Sequence, residues 1–239
     1  MRIALIGCGR VGVTIFYLLS KNKNNTIIGV YDIDKKQEKS AIRMLRMERN
    51  PRYREMIEKS EALFIATPDD AILKAYRKMR KHLQENKCIF HFSGILPAHI
   101  LPAAKGIYRA SVHPFATLPK IIIPPTRKRF YLSLEGDPIA ITNARAIFHS
   151  KYFVIKKIKK ETKILYHLIG VFSSNLLVGL IASINDMSTK LGWKSKEIRQ
   201  LIYPILEETL HNIKEYGVSE SLSGPIQRGD AEVLKQHIN

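Results

Sequence analysis

A glycine-rich turn near the start of the chain restricts the possible folds more than any other feature of the sequence. Residues 7–12 (GCGRVG) follow a short apolar run and lead into residues 11–19, where hydrophobic side chains recur at helical spacing. A second run, residues 26–31, is rich in β-branched residues and ends at Asp32. A strand, a glycine-rich turn, a helix and a second strand closing on an acidic residue form the full sequence context of a dinucleotide-binding unit.

Each glycine of this turn has a separate physical task in such a unit. Gly7 allows the tight turn, Gly9 lets the backbone approach a pyrophosphate, and Gly12 permits close packing of the helix on the strand. Arg10 and Val11 stand where the helix begins, and the unpaired N–H groups of a helix N-terminus bind anions. The alternative is a turn with a structural role alone, because glycines also mark ordinary turns.

Asp32 bears on the choice of cofactor. An acidic residue at this position hydrogen-bonds the 2′-hydroxyl of the adenine ribose and repels a 2′-phosphate, which favours NAD(H) over NADP(H). Lys35 and Lys36 follow directly and are able to hold that phosphate. The sequence therefore predicts NAD(H) or NADP(H) as cofactor, with a small preference for NAD(H).

Strand-like and helical segments continue to alternate beyond this unit, which predicts a parallel sheet. A helical stretch at residues 71–82 separates two apolar runs, and Gly136-Asp137-Pro138 predicts a turn between later strands. The further strands are predicted at residues 62–66, 88–92, 109–112, 130–134 and 152–155.

Nothing strand-like remains after about residue 158. Residues 161–191 and 196–215 are predicted as helices that stop at Gly192 and Gly217. The expected fold class is α/β, a Rossmann-type parallel sheet with an all-α C-terminal domain. The predicted domains are residues 1–158, which bind NAD(P), and residues 159–239, a helical part for substrate binding and dimerisation.

The predicted strands end on polar residues at the edge where open α/β sheets bind ligands. Thr67 and Pro68 follow one strand and are predicted to contact the cofactor, and Ser93 follows the next beside a glycine. Ser93 is a candidate for the nicotinamide or substrate pocket. The alternative for all these residues is helix N-capping, which is favoured for Asp69 and Asp70.

The charge of the chain is strongly basic. Its 239 residues include 39 Lys and Arg against 21 Asp and Glu, a formal net charge of +18, yet 45% of the residues are hydrophobic, which excludes a disordered polycation. No aromatic-flanked or other nucleic-acid-binding motif accompanies the charge, so no nucleic-acid partner is expected. The charge instead favours an anionic cofactor and a small anionic substrate.

Two cysteines, Cys8 and Cys88, make neither a disulfide framework nor a cysteine-rich zinc site. A cytoplasmic location and the absence of a metal are therefore expected. The apolar run at residues 168–184 contains Ser173, Ser174 and Asn175 and is shorter than the roughly 20 residues of a membrane span. It predicts a helix buried in a core or a subunit interface, with a homodimer formed through the C-terminal helices and no membrane contact.

Four motifs spread along the chain resemble one family. They are His91-Phe92-Ser93-Gly94, His113-Pro114, Tyr166-His167 followed by Ser174-Asn175, and Leu222-Ser223-Gly224-Pro225-Ile226-Gln227-Arg228-Gly229-Asp230. In this combination and order the chain resembles the Rossmann-like NAD(P)-dependent oxidoreductases with an uncharacterised helical C-terminal domain of the 6-phosphogluconate dehydrogenase type. That family is similar to ketopantoate reductases, pyrroline-5-carboxylate reductases and 3-hydroxyacid dehydrogenases.

The chain departs from the family pattern at two places. Ser223 stands where the family has threonine, which keeps the hydroxyl group, and the sequence stops at Asn239, where relatives continue for about another helix. The closing wall of the active site is then either absent or supplied by a partner subunit.

The resemblance implies that the C-terminal helix carries the chemistry. In the related reductases a lysine and an asparagine on one helical face protonate the carbonyl oxygen and hold the substrate, which implies such roles for His167 and Asn175. These two are eight residues apart, about 80° past two full turns of an α-helix. An imidazole that titrates near neutrality suits a general acid. The alternative is a hydrogen-bond network between helices.

Three further residues are candidates for substrate binding. Arg228 is able to clamp a carboxylate with two parallel hydrogen bonds, or else forms an ion pair with Asp230 that shapes the loop. Ser223 belongs to the same loop. His113 is a second candidate acid, with strand-end structure as its alternative role.

The expected function is reduction of a small acidic carbonyl or imine compound by NAD(P)H, with a proton from His167. A 2-oxo acid of the ketopantoate type, in pantothenate biosynthesis, is the best candidate that the resemblance implies. The alternatives are a non-catalytic protein that senses the dinucleotide and, less favoured, a nucleic-acid-binding protein.

Overall fold

The computed structural model describes residues 1–121 and 129–238. Contacts divide the chain into two compact units, Met1–Asn175 and Leu176–Asn239. The last strand ends at Lys157, so the first unit contains the whole sheet and, in addition, the first turns of the helical region. The expected domain boundary near residue 158 stays a prediction.

The first unit is built on a sheet of seven strands with helices on both faces. The strands are β1 (Arg2–Ile6), β2 (Thr26–Tyr31), β3 (Ala62–Ile65), β4 (Lys87–His91), β5 (Ile107–Pro114), β6 (Phe130–Gly136) and β7 (Phe153–Lys157). The helices between them are α1 (Arg10–Leu19), α2 (Lys35–Met44), α3 (Tyr53–Lys59), α4 (Asp69–Arg80) and α5 (Pro138–Ile147). All the strands predicted from the sequence are present, with ends that differ by a few residues.

The strands lie in the order β2-β1-β3-β4-β5-β6-β7. The first five are parallel, as predicted, whereas β6 runs antiparallel to β5 and β7 runs parallel to β6. An antiparallel neighbour needs no helical crossover, and residues 115–121 and 129, the described part of the connection, form no helix. The order reverses between β1 and β3, and ligands of open α/β sheets bind outside the carboxyl ends of the strands at such a point.

Aromatic side chains fill the core on one face of the sheet. Phe64 stacks on Phe90 and Phe92, with ring centroids 4.7 and 5.6 Å away, and meets Phe16 and Phe148 edge-on. All five rings are buried. This packing holds α1 and α5 against the sheet, so the strand ends that carry the polar motifs stand on a rigid base.

Three helices of the first unit have no counterpart among the sequence predictions. α2 and α3 are short and carry many charged residues, so their apolar signal is weak. α5 begins at Pro138, where the sequence indicates only a turn. A proline fits the first position of a helix, and the Asp137 carboxylate before it accepts a hydrogen bond from Arg109 N at 2.8 Å. The predicted turn is therefore the start of a helix.

The single helix predicted at residues 161–191 is present but interrupted. A 3₁₀ turn at Lys160–Thr162 leads into α6 (Lys163–Val171), a π-helical turn at Phe172–Leu176 and α7 (Leu177–Lys190). Gly192 ends α7 with a φ of +82°, a conformation that favours glycine, as predicted. By length and composition alone, the helix Lys160–Lys190 is able to cross a membrane, which is weak evidence.

The second unit consists of helices. They are α7, α8 (Ser195–Tyr216), α9 (Gly224–Arg228) and α10 (Ala231–Ile238). Among the residues described there, only Ser188 and Ile198 are buried, and large apolar side chains such as Leu201 and Ile205 are more than half exposed. A helical unit with so little buried apolar surface in one chain needs further burial to be stable.

Candidate active site

The glycine-rich turn joins β1 to α1 in the geometry expected from the sequence. Gly7 has a φ of +96°, and a methyl group built on it would lie 2.7 Å from the carbonyl carbon and oxygen of Ala66. A methyl group on Gly12 would lie 2.5 Å from the Gly7 carbonyl oxygen and 3.0 Å from a methyl carbon of Leu5. No larger residue fits either position, so both glycines are required where β1, β3 and α1 meet.

Gly9 faces open space. No atom lies within 4 Å of a methyl group built on it, and it precedes α1 without a side-chain cap. Arg10 and Val11 begin the helix, and their N–H groups belong to the first turn, which has no acceptors within the helix. The Arg10 side chain donates to Pro119 O at 3.0 Å. The turn therefore presents free backbone donors and the positive end of a helix dipole beside a vacant approach, as a pyrophosphate requires.

A pocket of about 570 Å³ extends along this turn at the carboxyl ends of β1, β2 and β3. It includes the predicted cofactor residues Gly7, Gly9, Asp32, Thr67 and Pro68. Such a volume lies within the range of small-molecule and cofactor sites. The pocket is further lined by Ile6, Tyr31, Ile33, Asp34, Gln37, Tyr53, Ala66, Ala71, Lys74, Ala75 and Lys78.

Asp32 ties the glycine-rich turn to the end of β2. Its Oδ2 accepts from Cys8 N at 2.6 Å, and its Oδ1 accepts from Asp34 N at 2.8 Å. Each carboxylate oxygen has a second lone pair, so the group is still able to accept from a ribose hydroxyl. Burial raises the pKa of the neighbouring Cys8 thiol to about 12, so this thiol stays protonated.

An aromatic and basic wall closes one end of the pocket, and the sequence analysis missed it. The Tyr31 and Tyr53 rings lie 4.5 Å apart, and Lys78 Nζ lies 4.5 and 4.8 Å from their centres and donates to Tyr31 Oη at 2.6 Å. Among the described residues, the buried Tyr53 Oη and Thr67 Oγ1 have no hydrogen-bond partner. Buried polar atoms of this kind indicate a ligand, and a tyrosine at the end of β2 was the available signal.

Two histidines meet above the neighbouring strand ends. A methyl group built on Gly94, just after β4, would lie 2.8 Å from both His113 Nε2 and His167 Nδ1. The two imidazole centroids are 6.3 Å apart. β5 supplies His113 and α6 supplies His167, so the structure brings together residues that are 54 positions apart in the sequence.

His113 is held by aromatic neighbours. Its Nδ1 lies 3.1 Å from Tyr166 Oη, and Phe115 packs on the Tyr166 ring with centroids 5.2 Å apart. A hydroxyl that donates to Nδ1 leaves the ring proton on Nε2, the atom that faces Gly94. Burial, with smaller effects from Lys163 and His167, lowers the pKa of His113 to about 4. His113 is thus a neutral hydrogen-bond donor at pH 7.

Ser93 connects β4 with the start of α4. Its Oγ donates to Asp69 Oδ2 at 2.9 Å and accepts from Leu96 N at 3.0 Å. The capping role favoured for Asp69 is wrong, because Pro68 holds the cap position of α4, no side-chain cap bond forms there, and Asp69 binds Ser93 instead. Ser93 thereby links the cofactor side of the site, at Thr67-Pro68, to the histidines.

A buried lysine beneath the histidines is the second feature that the sequence analysis missed. Lys163 is the first residue of α6, is 1% exposed, and donates to Ser111 Oγ at 2.7 Å and to Ser93 O at 3.4 Å. Burial lowers its pKa to about 8, against the opposing effects of Glu135 and Asp69. Its position four residues before His167, on the same helical face, was the available signal.

His91 is fully buried below this cluster. Its Nδ1 accepts from Ser93 N at 3.3 Å, and its Nε2 lies 3.3 Å from Pro97 O. Burial, followed by the charge of Lys163, lowers the pKa of His91 to about 3. The ring is therefore neutral and supports the backbone of the Ser93-Gly94 turn from both sides.

The remaining predicted site residues lie further along the chain. Asn175 is exposed in the π turn, and a π turn takes more residues per revolution than an α-helix. The excess rotation between His167 and Asn175 is therefore smaller than the α-helical estimate. In the second unit, Ser223 precedes α9, and the exposed Arg228 pairs with Asp230 at 2.8 Å. The carboxylate clamp stays a prediction.

Strand order, glycine-rich turn and pocket define a dinucleotide-binding Rossmann-like fold, and solved structures share it. A proposed NADP oxidoreductase from Bacteroides fragilis superposes with a TM-score of 0.81 at 18% identity, over 99% of this chain and 89% of that one. Protein TM1727 from Thermotoga maritima gives 0.69 at 23% identity, over 98% and 87%. Pyrroline carboxylate reductase from Plasmodium falciparum, solved with NADP bound, gives 0.66 at 12% identity, over 99% and 90%.

Residues 130–239 match the family described as a domain of unknown function, DUF2520. Together with the shared fold, this match confirms the resemblance to a Rossmann-like oxidoreductase family with an uncharacterised C-terminal domain. No curated protein matches the sequence. Within residues 1–121 and 129–238, no three His, Cys, Asp or Glu side chains are grouped to hold a metal ion.

Proposed function

We propose that this protein is an NAD(P)H-dependent reductase of a small acidic carbonyl or imine compound. The observation that carries the proposal is the histidine pair around Gly94, on strands next to the pocket that begins at the glycine-rich turn. In a doubly wound sheet these strand ends adjoin one crevice. A cofactor bound along the turn would present its reactive ring toward the strands that carry the histidines.

The residues of the pocket have distinct roles in this proposal. The N-terminus of α1 and Gly9 hold the pyrophosphate. Asp32 binds the adenine ribose, Tyr53 Oη and Thr67 Oγ1 supply hydrogen bonds that no described residue satisfies, and Lys78 covers the aromatic wall. Asp32 favours NAD(H), whereas Lys78 and Lys74 in the same pocket favour the additional phosphate of NADP(H). We retain the small preference for NAD(H).

The chemical step requires a proton as well as a hydride. When bound, the nicotinamide supplies the hydride to the carbonyl or imine carbon. His167 donates a proton to the developing oxyanion or nitrogen, and neutral His113 donates a hydrogen bond through Nε2 to the same atom. Ser93 keeps the intervening turn in place through Asp69. Asn175, Ser223 and Arg228 are proposed to contact the substrate, and no metal is needed.

The basic charge of the chain supports an anionic substrate. A net charge of +18 attracts both the dinucleotide and a small acid to the protein. A 2-oxo acid of the ketopantoate type, as used in pantothenate biosynthesis, is the first compound to assay. We further propose a cytoplasmic homodimer, because apolar side chains of α6 such as Leu165 and Ile164 are 64 and 63% exposed in the single chain.

Ligand binding and turnover test this proposal separately. Thermal shift with NADH and NADPH measures binding, since a ligand at 100 times its Kd stabilises the fold by about 2.7 kcal/mol. Oxidation of NADH or NADPH in the presence of 2-oxo acids and cyclic imines measures turnover. We expect His167→Ala to lower kcat by about 100-fold or more, with dinucleotide binding unchanged.

The control is His149→Ala, which removes an exposed imidazole from the end of the α5 region and leaves the site intact. Equal activity of His167→Ala and His149→Ala would contradict the role of His167. Dinucleotide binding without turnover across the panel would instead favour the sensing protein. Failure of both dinucleotides to bind would overturn both functions.

A further inference from the structure

Lys163 occupies an expensive position for a charged side chain. It is 1% exposed, at the first residue of α6, and a buried ammonium ion loses its hydration without full return from hydrogen bonds. A hydrophobic residue of similar volume at such a place is often neutral or stabilising. The charge itself therefore requires an explanation other than stability.

The contacts of Lys163 converge on one piece of backbone. Its Nζ donates to Ser111 Oγ at 2.7 Å and to Ser93 O at 3.4 Å, and Ser111 Oγ in turn donates to Ser93 O at 3.0 Å. The carbonyl that receives both bonds belongs to the residue before Gly94. Lys163 and Ser111 thus fasten the turn on which the imidazoles of His113 and His167 pack.

Every element around Lys163 contributes a titratable group. Asp69 of α4 and Glu135 of β6 favour the charged ammonium ion, and Glu135 lies opposite Ser111 in the sheet register. His91 of β4, opposite Ser111 on its other side, and His113 of β5 experience the charge unfavourably. On α6, His167 follows one turn later on the same face. One cation therefore lies among three imidazoles.

We infer that Lys163 is a positioning residue, whose ammonium ion fastens the Ser93-Gly94 turn and keeps His113 neutral, so that the imidazole pair holds its proton on His167. The last clause rests on the proposed function. A pair of imidazoles on one turn that both bound protons would repel each other, and a neutral His113 with its proton on Nε2 is oriented to donate rather than accept. Lys163 selects that arrangement without touching the substrate.

Histidine titration in the protein without ligands tests the electrostatic part directly. Proton–carbon NMR spectra of the imidazoles follow each ring, with His113 assigned from the spectrum that His113→Gln lacks. In the Lys163→Met variant His113 should titrate at a higher pH than in the wild type, whereas Lys163→Arg should leave it low. Lys160→Met removes an exposed charge one turn earlier and is the matched control.

Kinetics and stability test the positioning part. Lys163→Met should have a Tm equal to or above that of the wild type and a kcat lowered by about 10- to 100-fold, with its acidic pH limit displaced toward higher pH. Ser111→Ala should lower kcat and leave the His113 titration low. If Lys163→Met does not fold, Lys163→Gln keeps a hydrogen-bond donor and removes the charge.

The outcomes separate this inference from the proposed function. An unchanged His113 titration in folded Lys163→Met or Lys163→Gln overturns the inference, whether or not the protein is an enzyme. Loss of Tm together with unchanged kinetics in the surviving fraction also overturns it, since that is the result of a structural role. Absence of any turnover in the wild type overturns the proposed function and leaves the titration result standing.

Discussion

Gly94 is the residue on which the geometry of the site depends most closely. His113 Nε2 and His167 Nδ1 approach it from β5 and α6, and each would lie 2.8 Å from an added methyl group. Real side-chain contacts are longer, so at least one ring has to move. The space left free by this glycine determines where both imidazoles point.

Gly94→Ala is therefore predicted to lower activity more than stability. Displacing a catalytic imidazole by about 1 Å costs about 100-fold in rate, whereas one repacked contact costs about 1–3 kcal/mol in the free energy of unfolding. Steady-state kinetics and urea unfolding measure the two effects. Gly179→Ala, at a helical glycine with nothing within 4 Å, is the control and should change neither. A Gly94→Ala enzyme with normal kcat would show that the rings are not used.

The buried histidines predict a loss of stability in mild acid. The folded-state pKa values of His91 and His113 are about 3 and about 4, below the ordinary value of 6.5. Between pH 6.5 and 4 the unfolded chain binds protons that the folded chain does not, so the free energy of unfolding falls as the pH decreases through this window. From pH 6.5 to 5 we expect a decrease of about 1–2 kcal/mol for each histidine.

Denaturant titrations at several pH values measure this decrease. His113→Asn should flatten the dependence, and His149→Asn, at an exposed position, should leave it as in the wild type. A wild-type stability that is constant between pH 6.5 and 5 would contradict the assignment of neutral, buried imidazoles.

At this scale the sequence predicts motifs better than environments. Gly7 and Gly12 were predictable because a positive φ and a close backbone contact leave no other residue. Lys163 and Tyr53 were not, since a lysine in a basic chain and a tyrosine in an unpredicted helix carry no local mark. Their importance arises from burial and from partners distant in sequence, which only the fold brings together.

At the scale of elements, the π turn at Phe172–Leu176 separates two helices that the sequence presents as one. It lies between His167 and Asn175 and reduces the excess rotation between them. π turns inside helices are frequent at functional sites. The turn therefore provides a geometric reason for the eight-residue spacing of the motif.

Deletion of Ser173 tests this reason. Removal of one residue restores a continuous α-helix and rotates Asn175 by about 100° relative to His167. If both residues serve one substrate, kcat/KM should fall by about 100-fold while circular dichroism still shows the helices. Ser173→Ala, which keeps the length, should behave like the wild type. Full activity of the deletion variant would show that Asn175 does not act with His167.

Regular strands and long helices were predictable from periodicity, and the exceptions share a cause. α2 and α3 present charged surfaces and weak apolar faces, and α5 begins in a Gly-Asp-Pro sequence that also fits a turn. The reversed direction of β6 was not predictable either. Strand direction depends on the connection, and an apolar run has the same pattern in both directions.

At the scale of the whole molecule, exposed apolar helices dominate. The helix Lys160–Lys190 has no buried 18-residue window in the single chain, and Phe172 on it is 64% exposed. Stable homodimers bury about 2,000 Å² or more, much of it apolar. A second copy of the chain therefore accounts for this surface better than a bilayer does, since Ser173, Ser174 and Asn175 interrupt the helix.

Light scattering after gel filtration is expected to give twice the chain mass of 27.3 kDa. Phe172→Glu should produce monomers or aggregates with a lower Tm, because it places a charge in an apolar interface. Ile139→Glu, at a 46% exposed apolar position on α5, serves as the control. A monomeric wild type at micromolar concentration would contradict the dimer, and a protein that requires detergent would favour the membrane.

The reversed strand β6 determines how the gene can be divided. The family match begins at Phe130, which is also the first residue of β6. A fragment starting there would separate β6 from β5 and leave two sheet edges with unpaired N–H and C=O groups, which are templates for aggregation. The segment that related sequences share is thus not an independent folding module, because its first two strands complete a sheet that belongs to the other part of the chain.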